Sequence, residues 1–339
     1  MRGAEILGQE AVLAPLMTAA REGRLAGCYL FEGPGGVGKH AAARLVAMAA
    51  ACEAEDVSAR PCGGCQTCSH MERGSHPDLV ELGVDPTKRT PTISVAGARD
   101  VVRAARLHRY AARHRVFIID PADRMVPEAA NAMLKTLEEP PEGTTFILVS
   151  DRSSSLLPTI ISRSQRVRFR MVPTELLTKR LEQRGVADAA LVALLADGRP
   201  RRADELIDGG LERHKEALER VLTVVAEGPV ELFKFSEGLS KSGEGRSGWQ
   251  PVVELHLLVV ERLLRDAAVV AMGSDQPIAN DRALVERWAE ALWPSGFERV
   301  NAALDSSRAR IERNVNARLV VEPLLACLAT ELGRARRAR

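Results

Sequence analysis

At 339 residues and 45% hydrophobic composition, the chain is long enough to bury two or three cores rather than one. Lys and Arg number 47 against 45 Asp and Glu, so the net charge of +2 does not by itself mark a nucleic-acid binder. No apolar run approaches the ~18 residues of a membrane span, and the opening MRGAEILGQEAVLAPL is no secretory signal, so we expect a cytoplasmic protein with no membrane partner and with its thiols kept reduced.

The first strand-like run is Cys28 to Phe31, and the first clear helical stretch is His40 to Ala51, where apolar residues recur at three-to-four spacing. Between them lies GPGGVGKH, Gly33 to His40. A glycine loop that follows a strand and opens a helix suits phosphate. Gly33, Gly35, Gly36 and Gly38 permit close backbone approach, the amides face an anion, and Lys39 reaches the terminal phosphates. The last position of such a loop is ordinarily Ser or Thr, whose hydroxyl holds magnesium; here it is His40, and a magnesium ligand is lost.

Just after that helix come Cys52, Cys62, Cys65 and Cys68, spaced C-x9-C-x2-C-x2-C. Four thiolates so spaced suit tetrahedral zinc, with Gly63 and Gly64 permitting the turn, and a closed four-sulfur site is structural because it leaves no position for substrate. His70 and His76 are expected at the surface, and the isolated Cys28 and Cys327 in the core.

Further strand-like runs follow at Asp78 to Leu82, Val116 to Asp120, Thr145 to Ser150 and Arg166 to Phe169, with helices expected at Gly97 to Arg113 and Glu128 to Glu138. This alternation predicts an α/β fold, a parallel sheet with helices on both faces, whose ligands sit beyond the carboxyl ends of the strands. The run VFIID ends on Asp120, which could approach a metal, but Pro121 comes next; Asp123 is read as a cap or surface residue. The segment NAMLKTLEEPP, Asn131 to Pro141, places Met133, Leu134 and Leu137 on one helical face and is closed by prolines that cannot continue the helix. Beyond it stand Ser162-Arg163-Ser164, with Arg166, Arg168 and Arg170 close by.

After Phe169 the chain reads as helix, with breaks at Gly185, Gly198 to Pro200, Gly209-Gly210, Ser240 to Gly248 and Gly273 to Pro277. Three parts are expected, at 1–169, 170–210 and 211–339. The tail residues Arg334, Arg336, Arg337 and Arg339 are read as a solvated helix end.

In order, the glycine loop, the apolar strands that flank NAMLKTLEEPP, that segment itself and Ser162-Arg163 resemble the clamp-loader branch of the AAA+ ATPases, and the four-cysteine insert supports the same reading. The resemblance covers about residues 5 to 210 at motif level. It implies an AAA+ nucleotide-binding-type domain at 1–169 with a zinc module at about 52–68, a helical lid at 170–210 and an all-helical collar at 211–339. It implies that Arg163 is an arginine finger reaching a neighbouring subunit's ATP, with Ser164 in place of the usual Cys. GRPR, Gly198 to Arg201, sits where the family has a second sensor, from which Arg201 could face phosphate.

In the resembling ATPases a Glu that orients the attacking water follows the aspartate, and Pro121 has no group for that task. With His40, this implies a non-hydrolysing, stator-like subunit of the DNA polymerase III clamp loader. Such a subunit could hold ATP or ADP without turnover at a degenerate site of Gly33, Gly35, Gly36, Gly38, Lys39, His40 and Asp120. The implied partners are gamma/tau ATPase subunits and a delta subunit, and through the complex the sliding clamp and primed DNA. The alternative is an ATP-hydrolysing gamma/tau-type subunit, against which His40 and Pro121 stand. A third reading is a DNA-repair or helicase-loading AAA+ protein, against which the four-cysteine insert together with LKTLEEPP stands.

Overall fold

The computed structural model describes residues 6–84, 91–108, 110, 112–241, 249–313 and 315–337. Most of the break expected at Ser240 to Gly248, and the side chains of Arg336, Arg337 and Arg339, lie outside the described residues. The chain divides into two units, one running to Gly185 and rejoined by Ala196–Arg202, the other formed by Val186–Leu195 and the chain from Ala203 onward.

The first unit is built on five parallel strands: β1 (Cys28–Glu32), β2 (Leu79–Leu82), β3 (Arg115–Ile119), β4 (Thr144–Ser150) and β5 (Gln165–Arg168), in the order β2-β3-β4-β1-β5. The interior strands β1, β3 and β4 are buried at every position, as strands covered on both faces must be. Side chains alternate along each strand, so one set of apolar residues faces each way. Tyr29, Phe31, Val116, Ile118, Ile147 and Val149 join a core with α1 (Glu10–Arg21), α2 (Lys39–Ala51) and α3 (Gln66–Glu72). Leu30, Phe117, Ile119, Phe146 and Leu148 join the opposite core with α4 (Val95–Arg106), α5 (Pro127–Glu138) and α6 (Pro158–Ile161). The next helix is α7 (Thr174–Gln183).

Strands and helices fall within a residue or two of the expected runs, with one exception. The helix expected from Gly97 to Arg113 stops at Arg106. Its continuation is pre-empted by the buried Arg115 guanidinium, which donates to the carbonyls of Ala104 and Leu107 at 2.9 Å and of His108 at 2.8 Å. The fully buried Asp78 carboxylate accepts from Arg115 and from the amides of Tyr110 and Ala112, each at 3.0 Å, and fixes the chain in its non-helical path.

Among the described residues no strand follows β5. The remaining elements are α8 (Ala189–Ala196), α9 (Pro200–Glu205), α10 (Leu211–Glu227), α11 (Pro229–Lys241), α12 (Gln250–Ala271), α13 (Arg282–Leu292), α14 (Ser295–Glu312) and α15 (Ala317–Arg337). The core of the second unit gathers Val253, Leu257, Val260 and Leu264 of α12 with Trp288 and Leu292 of α13 and Val320, Leu324 and Leu328 of α15. Asp266, buried within α12, holds the turn beyond it by accepting from the amides of Ala279 at 2.9 Å and Asn280 at 3.0 Å. No helix among the described residues is long and apolar enough to cross a membrane.

Replacing Asp78 by Ala strands a buried guanidinium and is expected to cost the first unit about 3–5 kcal/mol. Both tyrosines lie in the first unit and all three tryptophans, Trp249, Trp288 and Trp293, in the second. The check is denaturant unfolding in which the far-UV dichroism transition moves to lower denaturant while tryptophan emission keeps its midpoint.

Candidate functional site

Because every strand is parallel, Glu32, Asp120 and Asp151 reach the same edge of the sheet, and the glycine loop lies there between β1 and α2. The loop's shape is tightly specified. At Gly33 (φ 143°) a Cβ would lie 2.3 Å from the Phe169 carbonyl oxygen, and Gly36 and Gly38 also take positive φ, 78° and 99°. Among the described residues, the amides of Gly36, Val37, Gly38 and Lys39 meet no protein acceptor, an arrangement suited to an anion. The buried Lys39 Nζ donates to the carbonyls of Gly33 at 2.7 Å and Pro34 at 2.5 Å and stands 2.7 Å from Asp151 Oδ1. Segment 196–202 lies on the loop: Arg201 donates its amide to the Gly36 carbonyl at 3.2 Å.

His40, in the place of the usual hydroxyl residue, has Nδ1 2.8 Å from Asp120 Oδ2 and Nε2 3.7 Å from Glu81 Oε1. The hydrogen bond to Asp120 raises the His40 pKa above the ordinary value, outweighing partial burial. Pro121 follows through a cis peptide bond and offers no side-chain oxygen. Asp123, expected as a cap or surface residue, instead ties the turn after β3 to the end of β4, accepting from Ser150 Oγ at 2.9 Å and from the Asp151 amide at 3.3 Å.

Arg163 lies at the surface in the turn after α6, with Nη1 3.1 Å from the Thr159 carbonyl and Nη2 3.3 Å from Glu138 Oε1. Ser164 donates to the Ile160 carbonyl at 2.8 Å and packs 3.3 Å from the buried Cys28 Sγ. Burial pushes the Cys28 thiol up to about 11, in keeping with an inert core residue. Arg166 and Arg168, neighbours of Arg163 in sequence, are turned to the buried Glu32: Arg166 is bidentate at 2.9 Å and Arg168 donates at 3.0 Å. Burial alone would raise the Glu32 pKa, yet Arg166, Ser153 and Arg168 hold it below the ordinary carboxylate value.

The four cysteines come together. The sulfurs of Cys52, Cys62, Cys65 and Cys68 all lie within 4.8 Å of one another, while a tetrahedron of sulfurs at the zinc–thiolate distance of about 2.3 Å has edges of about 3.8 Å. Backbone amides already point at them, Cys62 N–H to Cys52 Sγ at 3.4 Å, Cys65 N–H to Cys62 Sγ at 3.3 Å and Cys68 N–H to Cys65 Sγ at 3.4 Å. The amides of Gly64 and Cys65 bring the Cys62 thiol down to about 6, whereas burial raises Cys68. All six cysteines are free thiols, and this donor set is compatible with one structural zinc. His76, expected at the surface, is instead buried, with Nδ1 accepting the Asp78 amide at 3.0 Å, because it begins the turn that buries Asp78.

A family described as DNA polymerase III, delta subunit, has a sequence model that matches residues 8–173. A DNA polymerase III subunit delta' of Bacillus subtilis is 28% identical over 334 residues, covering 94% of this chain and 96% of that one. Over nearly its whole length this chain resembles clamp-loader subunits of DNA polymerase III. A DNA polymerase III subunit gamma/tau of Mycobacterium tuberculosis is 37% identical over an alignment of 231 positions that covers 62% of this chain and 38% of that protein. The chain thus spans well under half the length of the gamma/tau proteins it matches. A solved gamma-subunit-related protein of Thermotoga maritima superposes with TM-score 0.47 at 19% identity, over 94% of this chain and 99% of that one.

Three carboxylates at the site escaped sequence reasoning. Asp151 on Lys39, Glu81 beside His40 and Glu138 on Arg163 come from other elements, and no local spacing announces them.

Two outcomes test the site. Replacing Cys68 by Ser is expected to remove zinc from a protein that otherwise retains one ion per chain after dialysis, read by elemental analysis. Since the folded pKa of His40 is raised, its pairing with Asp120 stabilises fully below the unfolded value of about 6.5 and is lost as pH rises through the folded value. The melting temperature gap between the parent and His40→Gln should therefore narrow as pH increases.

Proposed function

We propose that this chain is a delta-prime-type, non-hydrolysing subunit of the DNA polymerase III clamp loader. Within the cytoplasmic replication machinery it would join gamma/tau ATPase subunits and a delta subunit, and through them act on the sliding clamp and primed DNA. The observation that carries this reading is the His40–Asp120 contact at 2.8 Å, followed by Pro121. Phosphoryl transfer depends on positioned metal and water rather than on covalent help from the protein. Here the hydroxyl ligand is absent, the aspartate faces an imidazole, and no acid follows it. A gamma/tau-type ATPase is the second reading, favoured by the 37% identity over 62% of the chain, but the same three features oppose it.

Arg163 supports a role toward a neighbour. It is exposed and held by one hydrogen bond to the Thr159 carbonyl and a longer contact to the exposed Glu138, so a guanidinium can turn outward at small cost. In this reading Arg163 stabilises the charge on the phosphoryl group transferred in an adjoining subunit. Residues 170–210 would act as the lid, with Arg201 near the loop, and 211–339 as the collar that assembles with equivalent domains.

In a reconstituted loader, Arg163→Ala is expected to slow hydrolysis at the partner site it faces by about 10³-fold or more. The measurement is clamp- and primed-DNA-stimulated ATPase, with equal assembly of parent and variant confirmed by size exclusion. Unchanged turnover would reduce Arg163 to a surface residue.

A further inference from the structure

Working phosphate loops take nucleotide together with magnesium, held by the hydroxyl at the loop's last position and by the aspartate that ends the third strand. The residues present here do not fit that ion. His40 replaces the hydroxyl, and its Nδ1 already engages Asp120 Oδ2 at 2.8 Å. The other charged groups at this corner are matched too: Glu81 Oε1 lies 3.7 Å from His40 Nε2 and 3.4 Å from the Arg44 guanidinium. Magnesium demands near-ideal octahedral oxygen coordination. To enter, it would have to break the His40–Asp120 contact and would gain one carboxylate, since Pro121 supplies nothing.

The half of the loop that meets phosphate is in a different condition. Gly36, Val37, Gly38 and Lys39 present amides with no protein acceptor among the described residues. The ammonium of Lys39 is matched by Asp151, whose other oxygen lies against Gly35, where an added Cβ would stand 2.8 Å from it. A carboxylate thus sits on the lysine that would otherwise meet a phosphate oxygen.

We propose that this loop takes the phosphate chain of a nucleoside di- or triphosphate without a divalent cation, His40 standing where the cation would. The inference rests on reading the loop as a nucleotide site that does not turn over. The imidazole keeps Asp120 hydrogen-bonded when the phosphates arrive, so no cation is needed to hold that carboxylate. Asp151 is the internal competitor, and the phosphate chain displaces it from Lys39.

The test is calorimetric titration of the full chain with ADP and with ATP, in EDTA and in excess magnesium, for the parent, His40→Ser and Asp151→Asn. The parent is expected to give the same Kd within about threefold in both conditions, and Asp151→Asn a tighter Kd in both. In His40→Ser, magnesium is expected to tighten binding by about tenfold or more. Magnesium tightening the parent by that factor would overturn the inference, as would absence of binding in the parent and in Asp151→Asn alike. ATP turnover by the chain alone would sink the non-hydrolysing reading itself, whereas magnesium-tightened binding without turnover sinks only the present inference.

Discussion

The all-parallel hydrogen bonding of the first unit's sheet governs what the rest of that unit can do. Three interior strands buried at every position must be covered on both faces, and the connections between them must therefore be helices. The same constraint sends every strand's carboxyl end to one edge. Glu32, Asp120 and Asp151, far apart in sequence, arrive there because of strand direction alone. The glycine loop then has little freedom: Gly33 is clamped under the Phe169 carbonyl at the end of β5, and Gly38 opens α2 in a left-handed conformation.

That edge would concentrate negative charge if left unmatched, and each acid meets a basic side chain of the chain itself. Glu32 is held by Arg166 and Arg168, Asp120 by His40, Asp151 by Lys39, and Glu81 by Arg44. Half-buried charges need partners, since the desolvation penalty of an isolated one exceeds what the fold can tolerate. This matching is internal to the chain, which gives a physical reason for the unit to keep its shape with no ligand at the loop.

Much of this was legible in the sequence, and the boundary of legibility is physical. The strands, the loop, α2 and α5 follow from periodicity and from glycine and proline placement, which act over a few residues. The cysteine cluster was legible because three of its ligands lie within seven residues, with glycines between them. The end of α4 was not. Residues 107 to 113 have acceptable helical spacing, and only a guanidinium delivered by β3, together with a carboxylate delivered just before β2, takes their carbonyls and amides away. His76 was misplaced for the same reason, since its burial follows from the turn that seats Asp78. Glu81, Glu138 and Asp151 stayed hidden because an acid in sequence carries no mark of the cation it will meet from another element.

The loop's glycines invite a functional reading, yet part of their role is mechanical. A side chain at Gly33 would run into backbone, and one at Gly35 would collide with the carboxylate that holds Lys39. A chain could therefore lose the magnesium hydroxyl and the water-orienting acid while the glycines stayed necessary for packing. Arg163 is under no such packing constraint, being exposed, hydrogen-bonded to the Thr159 carbonyl and to Glu138, and part of neither core.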